Sequence, residues 1–160
     1  MTVKIRSYRK ADQGRALEVC IAAFTPIHEG FRAALGEKVF ELQYRDWKEQ
    51  YAKTFADLPD ELTEVYVAEE NGTLIGFVFT VLNPALKTGE IGLNAVDPEF
   101  QGKGVGNAMY EFALERLKAR GAEIAYVGTG GDAAHLPARK AYEAIGFDKV
   151  LPAMHYFKVL

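Results

Sequence analysis

The sequence predicts an α/β fold in a single domain spanning residues 1–160. Three observations carry that expectation. The 160 residues match the length of one domain and are enough to bury a core. Runs that alternate apolar and polar residues are interleaved with runs of 3.6-residue apolar periodicity, which mark strands and amphipathic helices in turn. No linker, internal repeat or low-complexity stretch divides the chain.

Val3–Tyr8 alternates as a half-buried strand does. Ala11–Phe24 places Ala16, Leu17, Cys20, Ile21 and Phe24 on one helical face, so Cys20 is expected in the core and not as a reactive thiol. Thr25-Pro26 is expected to end that helix. A second helical region runs to about Phe55, with a break near Gly36. Its aromatic residues, among them Phe31, Tyr44, Trp47 and Tyr51, exceed what two core faces require. Glu64–Glu69 and Thr73–Leu82 are strands joined by Asn71-Gly72, a strong hairpin signal. Glu90–Val96 is a further strand, stopped by Asp97-Pro98. The next helix aligns Val105, Met109, Phe112, Ala113 and Leu117 and stops at Arg120-Gly121. Ala122–Val127 is a strand, residues 128–132 a loop, and Pro137–Ile145 a short helix with proline in its first turn and Gly146 at its end. Phe147–Val150 and Met154–Leu160 are expected as two closing strands.

Composition excludes several classes. With 49% hydrophobic and 26% charged residues, the chain reads as an ordinary globular protein. No apolar run approaches the ~18 residues of a membrane span, and the opening residues lack the apolar core of a signal peptide. Cys20 is the only cysteine, so neither an intrachain disulfide nor a cysteine metal cluster is expected. His28 and His155 form no ligand pair, and no metal is expected. The setting these features imply is cytoplasmic. The net charge of −3 is unevenly spread, since residues 61–100 hold seven acids against one base, Lys87. Such an acidic middle suits a cationic amine substrate, although a solvated acidic surface accounts for it as well. No basic stripe exists, which argues against nucleic acid as a partner.

The most informative stretch is Gln101-Gly102-Lys103-Gly104-Val105-Gly106, between the strand ending at Val96 and the long helix. Glycines at a helix start let a ligand approach the backbone. The free first-turn N–H groups and the helix dipole then form an anion site suited to a diphosphate. Spacing excludes the dinucleotide fingerprint, because Asn107 stands three residues after Gly104. It also excludes the Walker loop, because Gly102-Lys103 is followed by Gly104. The pattern that fits is Q-x-x-G-x-G. About thirty residues on, Asp132 to Phe147 reads DAAHLPARKAYEAIGF, which fits N-x-x-A-x-x-x-Y-x-x-x-G-F at Ala138, Tyr142, Gly146 and Phe147, with His135 in the Asn position.

On these two motifs the chain resembles the GNAT superfamily of N-acetyltransferases, well over residues 64–150 and in outline before them. The resemblance implies a mixed, mostly antiparallel sheet flanked by helices. It further implies acetyl transfer from acetyl-CoA to a primary amine by direct attack in a ternary complex, with no acyl-enzyme. In that reading Gln101, Gly102, Lys103, Gly104, Val105 and Gly106 hold the diphosphate, and Lys103 adds charge. Val96 pairs with the pantetheine amides, and Ala138 lies beside them. The Asn94 position supplies a backbone donor for the thioester oxygen, so its side chain carries little information. Tyr142 is the general acid for the departing thiolate, with a buried core aromatic as the alternative. Glu90, eleven residues before Gln101, is either the general base or a strand-edge surface carboxylate. His135 either donates to pantetheine or caps the loop before Pro137, and Asp132 caps the turn after Gly131. The aromatic helical region corresponds to the acceptor side, and a homodimer is a further option that the family leaves open. A non-catalytic acyl-CoA-binding module is the competing reading.

Overall fold

A computed structural model describes residues 2–58 and 61–160. The described strands are β1 (Lys4–Ser7), β2 (Thr63–Glu70), β3 (Thr73–Asn83), β4 (Thr88–Val96) and β5 (Ile124–Val127), and they form one sheet in chain order. The pairings from β1 to β4 are antiparallel, and β4 pairs with β5 in parallel. The helices are α1 (Gln13–Leu35), α2 (Glu37–Gln43), α3 (Trp47–Ala56), α4 (Val105–Ala119) and α5 (Leu136–Ala144). This is the mixed, mostly antiparallel sheet with flanking helices that the sequence led us to expect. No helix of the described residues is long and apolar enough to cross a membrane.

Local chemistry explains most boundaries. Asn71 and Gly72 both have positive φ, 51° and 80°, as a two-residue turn matched to the twist of β2 and β3 requires. Both α4 and α5 end in Schellman motifs. Gly121 N–H donates to the Lys118 carbonyl and Ala122 N–H to Leu117, and Gly146 and Phe147 repeat the pattern on Glu143 and Tyr142. α4 is the crossover that lets β5 lie parallel to β4.

Two expectations fail. First, α1 continues through Pro26 to Leu35. An interior proline costs about 3 kcal/mol, partly by removing a donor, and tertiary packing offsets that cost. Phe24 packs on Tyr51 at 4.9 Å between ring centroids, and His28 stacks on Trp47 at 4.1 Å. The break comes instead at Gly36, with φ of 78°. Second, Phe147–Val150 and Met154–Leu160 are not strands. Phe147 packs on Tyr142, but Leu151 is 96% and Tyr156 87% exposed. Alternation specifies a face and not a partner, and neither segment joins the sheet beyond the four-residue β5.

The sheet separates two cores. On one side Tyr66, Ala68, Ile75, Val78 and Ile91 pack on Val105, Met109, Ala113 and Leu117 of α4 and on Tyr142 of α5. On the other, Val67, Leu74, Phe77, Phe79 and Ala95 pack on Ala16, Val19 and Cys20 of α1 and on Phe55 of α3. Cys20 is fully buried, and burial pushes its thiol pKa up to about 12, so it is a core residue as expected.

One irregularity reorients the C-terminal half of β4. Val78 pairs with Asn94 and Thr80 with Ile91, so β4 carries one extra residue at Gly92-Leu93. Such a bulge shifts the side-chain alternation by one position. Ile91 faces the α4 core, Leu93 and Ala95 face the α1 core, and Asn94 is turned toward α4.

Candidate functional site

A cavity of about 830 Å³ lies between α1, the C-terminal half of β4, the start of α4, and α5. The two sequence motifs meet there from opposite sides.

At one end is the start of α4. Gly104 is its N-cap, in the left-handed conformation with φ of 83°, and no side chain caps the helix. Ala108 N–H is the first to bond back, to the Gly104 carbonyl at 3.1 Å. The N–H groups of Gly104, Val105, Gly106 and Asn107 therefore lie before the first helical hydrogen bond. Gly102, Gly104, Gly106 and Asn107 line the cavity. A Cβ added at Gly102 or Gly104 would enter open space. The helix start is thus a cradle kept clear of side chains and rich in donors, which fits a diphosphate.

The side chains of the rest of the loop are tied back to the protein. Lys103 does not line the cavity, because its Nζ donates to the Glu99 carbonyl at 2.9 Å and sits 5.0 Å over the Phe100 ring. Val105 is 1% exposed, with its side chain in the α4 core. Gln101 reaches the cavity wall, yet its Nε2 donates to the Val96 carbonyl at 3.0 Å and so braces the loop on the end of β4. The loop is anchored a second time through Asp97. That carboxylate accepts from Glu99 N–H at 3.0 Å and pairs with Arg15 of α1.

At the other end stands Tyr142, 6% exposed and on the cavity wall with Ala138 one turn earlier on α5. Its hydroxyl accepts from Asn94 Nδ2 at 3.2 Å, and Asn94 Oδ1 accepts from the Tyr110 hydroxyl at 2.7 Å. Tyr142 is thus both packed and hydrogen-bonded into the cavity.

Glu90 lines the same cavity, and its carboxylate accepts from Tyr126 at 3.1 Å. His135 is also on the wall, with Nδ1 held by Asp132 at 2.5 Å. Asp132 accepts from Ala134 N–H at 2.9 Å, so it caps this turn as expected. The pair is packed so closely that a Cβ on Gly130 would fall 2.3 Å from His135 Nδ1. Arg139 fixes the same loop by donating to the carbonyls of Gly130 and Asp132, each at 2.7 Å. A further part of the wall comes from α1, where Ala23, Phe24, Pro26 and Ile27 present an apolar surface. Among the described residues no group of three or more His, Cys, Asp or Glu is placed to hold a metal ion.

The aromatic helical region does something other than line this cavity. Trp47 stacks on His28 at 4.1 Å and 11°, and Phe31, Phe40, Tyr44 and Tyr51 surround the same imidazole. His28 is 6% exposed, its Nδ1 has no hydrogen-bond partner, and burial pushes its pKa down to about 4, with His135 adding to the effect. Two rings link this box to the cavity: Phe31 stacks on His135 at 6.3 Å, and Phe24 of the cavity wall packs on Tyr51.

Sequence reasoning missed Tyr110, the Asn94 side chain, Arg139 and the Pro26 wall. For Tyr110 a signal existed. It stands four residues after Gly106 and so shares its helical face, a phenol beside the glycine loop. The Asn94 orientation depends on the bulge, which no local pattern announces.

Comparison with known proteins agrees with this geometry. The sequence model of the acetyltransferase (GNAT) family matches residues 28–147, three quarters of the chain. The mycothiol acetyltransferase of Thermomonospora curvata is 35% identical over 115 residues, covering 66% of this chain and 37% of that protein. The Streptomyces bingchenggensis enzyme of the same name is 32% identical over 106 residues, covering 62% and 34%. The chain thus spans about a third of the length of these curated relatives. Among solved structures, the Escherichia coli ribosomal-protein-S18-alanine N-acetyltransferase aligns with a TM-score of 0.67 at 23% identity, over 94% of this chain and 80% of that one. The PaiA N-acetyltransferase of Thermoplasma acidophilum, in complex with coenzyme A, aligns at 0.69 and 19%, over 90% and 89%. These two likenesses show the fold. With the family match over both motifs, the chain belongs to the acetyltransferase (GNAT) family.

Proposed function

We propose that this chain is an N-acetyltransferase domain that moves an acetyl group from acetyl-CoA to a primary amine. The observation that carries the reading is that the donor-rich start of α4 and the Tyr142 hydroxyl open on one cavity. Bound acetyl-CoA supplies an activated acyl group with a thiolate leaving group. The N–H groups from Gly104 to Asn107 hold its diphosphate, and Gln101 keeps their loop braced. Lys103, turned to the Glu99 carbonyl, contributes charge near the site only. Val96, Ala138 and His135 form the channel wall along pantetheine, and the bulged backbone around Asn94 faces the thioester oxygen.

Two proton movements complete the reaction. The attacking amine must lose a proton to expose its lone pair. Glu90, the carboxylate on this wall, takes it directly or through water. The departing thiolate must gain one, and Tyr142 provides it. The acceptor enters over the apolar α1 wall of Phe24, Pro26 and Ile27, which favours an amine with an apolar flank over a polycation. A cytoplasmic setting, where acetyl-CoA is held, belongs to the same reading.

The test is release of CoA thiol from acetyl-CoA by the purified chain across a panel of amines. Turnover with a member of the panel is expected. Acetyl-CoA binding without thiol release from any amine would point to a binding module.

A further inference from the structure

Tyr110 lines the cavity wall, yet no motif marked it, and its hydrogen bonds have a fixed direction. Asn94 Nδ2 lies 2.8 Å from the Gly92 carbonyl oxygen, a group that only accepts. That contact fixes which end of the Asn94 amide is nitrogen. The amide oxygen then faces the Tyr110 hydroxyl at 2.7 Å, so Tyr110 donates. The second Nδ2 hydrogen faces the Tyr142 oxygen at 3.2 Å, so Tyr142 accepts. Tyr142 thus faces the amide nitrogen, which only donates, while Oδ1 is turned to Tyr110, so the hydroxyl proton of Tyr142 has no acceptor on the end of Asn94 that it faces.

We infer that Tyr110, acting through the Asn94 side chain, is a positioning residue that keeps the Tyr142 hydroxyl proton directed into the cavity. This inference rests on the acetyl-transfer reading, in which Tyr142 is the acid. In that step the carbon–sulfur bond breaks with its electron pair going to sulfur. The Tyr142 O–H bond breaks, its proton bonds to sulfur, and a phenolate is left. The Asn94 N–H already aimed at that oxygen stabilises the phenolate until a proton returns from solvent. Burial pushes the Tyr110 pKa well above the ordinary phenol value, and Tyr142 alongside adds to the effect, so Tyr110 stays a donor at working pH. Tyr110 is 5% exposed and Tyr142 6%, with ring centroids 4.9 Å apart. Water therefore competes poorly for the bond between Tyr110 and Asn94.

Losing the Tyr110 hydroxyl strips Asn94 Oδ1 of its donor, so the amide is held only through Nδ2 and Oδ1 is left open to another donor. Tyr142 can then donate to it, and its proton is withdrawn from the cavity. In single-turnover assays Tyr110→Phe should slow thiol release by about tenfold or more, while acetyl-CoA affinity stays within about twofold. Asn94→Asp is the sharper variant, because a carboxylate accepts from both tyrosines and reverses the relay. It should be slower than Asn94→Ala, although Asp is the closer isostere. A purely structural role predicts the opposite order, and that order would overturn the inference. Thermal melts identify any variant that is simply unfolded. Neutron diffraction of the deuterated wild-type protein gives a readout free of turnover. The Tyr110 deuterium should lie on the line to Asn94 Oδ1, with the Tyr142 deuterium pointing away from Asn94. A Tyr142 deuterium aimed at Asn94 or at the neighbouring Tyr110 oxygen would overturn the inference whatever the kinetics show. Wild-type protein that releases no thiol with any amine, but shows this proton arrangement, overturns the acetyl-transfer reading and the positioning role with it, leaving the orientation as measured.

Discussion

The two sides of the cavity are built from different materials. The β4–α4–α5 side presents backbone: glycines, unbonded N–H groups and a bulged strand, with a few side chains aimed by them. The α1–α3 side presents side chains, an apolar wall over the cavity and behind it an aromatic box closed around His28. A backbone site is specified locally, because a glycine spacing and a helix start are enough to create it. A side-chain wall exists only once three helices have packed. The comparison teaches that this fold sets a locally specified backbone surface against one assembled by tertiary packing.

The largest expected effect breaks the backbone side at Tyr142, the proposed general acid. Tyr142→Phe keeps the ring, which packs on Phe147 and Tyr110, and removes the hydroxyl. The turnover number should fall by about 10²–10⁴-fold with acetyl-CoA affinity nearly constant, as steady-state kinetics and calorimetry will show. Turnover within about threefold of wild type, with chemistry rate-limiting, would make Tyr142 a core residue only.

The next prediction breaks the other side. Trp47→Leu removes the ring stacked on His28 and should cost about 1–3 kcal/mol of stability, read by denaturant unfolding. Because Trp47 does not line the cavity, acetyl-CoA affinity should hold within about twofold.

A more gradual effect is a pH signature of the same box. The His28 pKa of about 4 lies below its unfolded value, so the unfolded state binds the extra proton between about pH 6.5 and 4. Stability should therefore be fully present above pH 6.5 and fall on acidification through that window, by up to about 1.4 kcal/mol per pH unit. His28→Phe should flatten this part of the profile in melts run from pH 4 to 8.

Legibility in the sequence divides along the same line. The hairpin at Asn71-Gly72, the glycine stops of α4 and α5, and the cradle at Gly102 to Gly106 are local backbone chemistry, and each was readable in a few residues. Pro26 within α1 was not, because its cost is offset by Tyr51 and Trp47, which are distant in sequence. The closing strands were misread because Met154–Leu160 has a strand's alternation without a sheet partner. The contact of Lys103 with the Glu99 carbonyl was not readable, because it is a tertiary outcome. Asn94 was undervalued because only the bulge at Gly92-Leu93 turns its side chain toward Tyr110.

The central claim, that the start of α4 is the cradle for acetyl-CoA, is tested most directly at Gly106. Gly104 is a poor probe, since its φ of 83° strains any side chain. Gly106 lies within the helix, and an added Cβ meets only the Tyr110 ring at an ordinary 3.5 Å. Gly106→Ala should therefore fold normally while placing a methyl group where a diphosphate meets backbone. Calorimetric titration with acetyl-CoA should show binding by wild type and a loss of about tenfold or more, near 1.4 kcal/mol, in Gly106→Ala. Equal affinity in the two folded proteins would contradict the account.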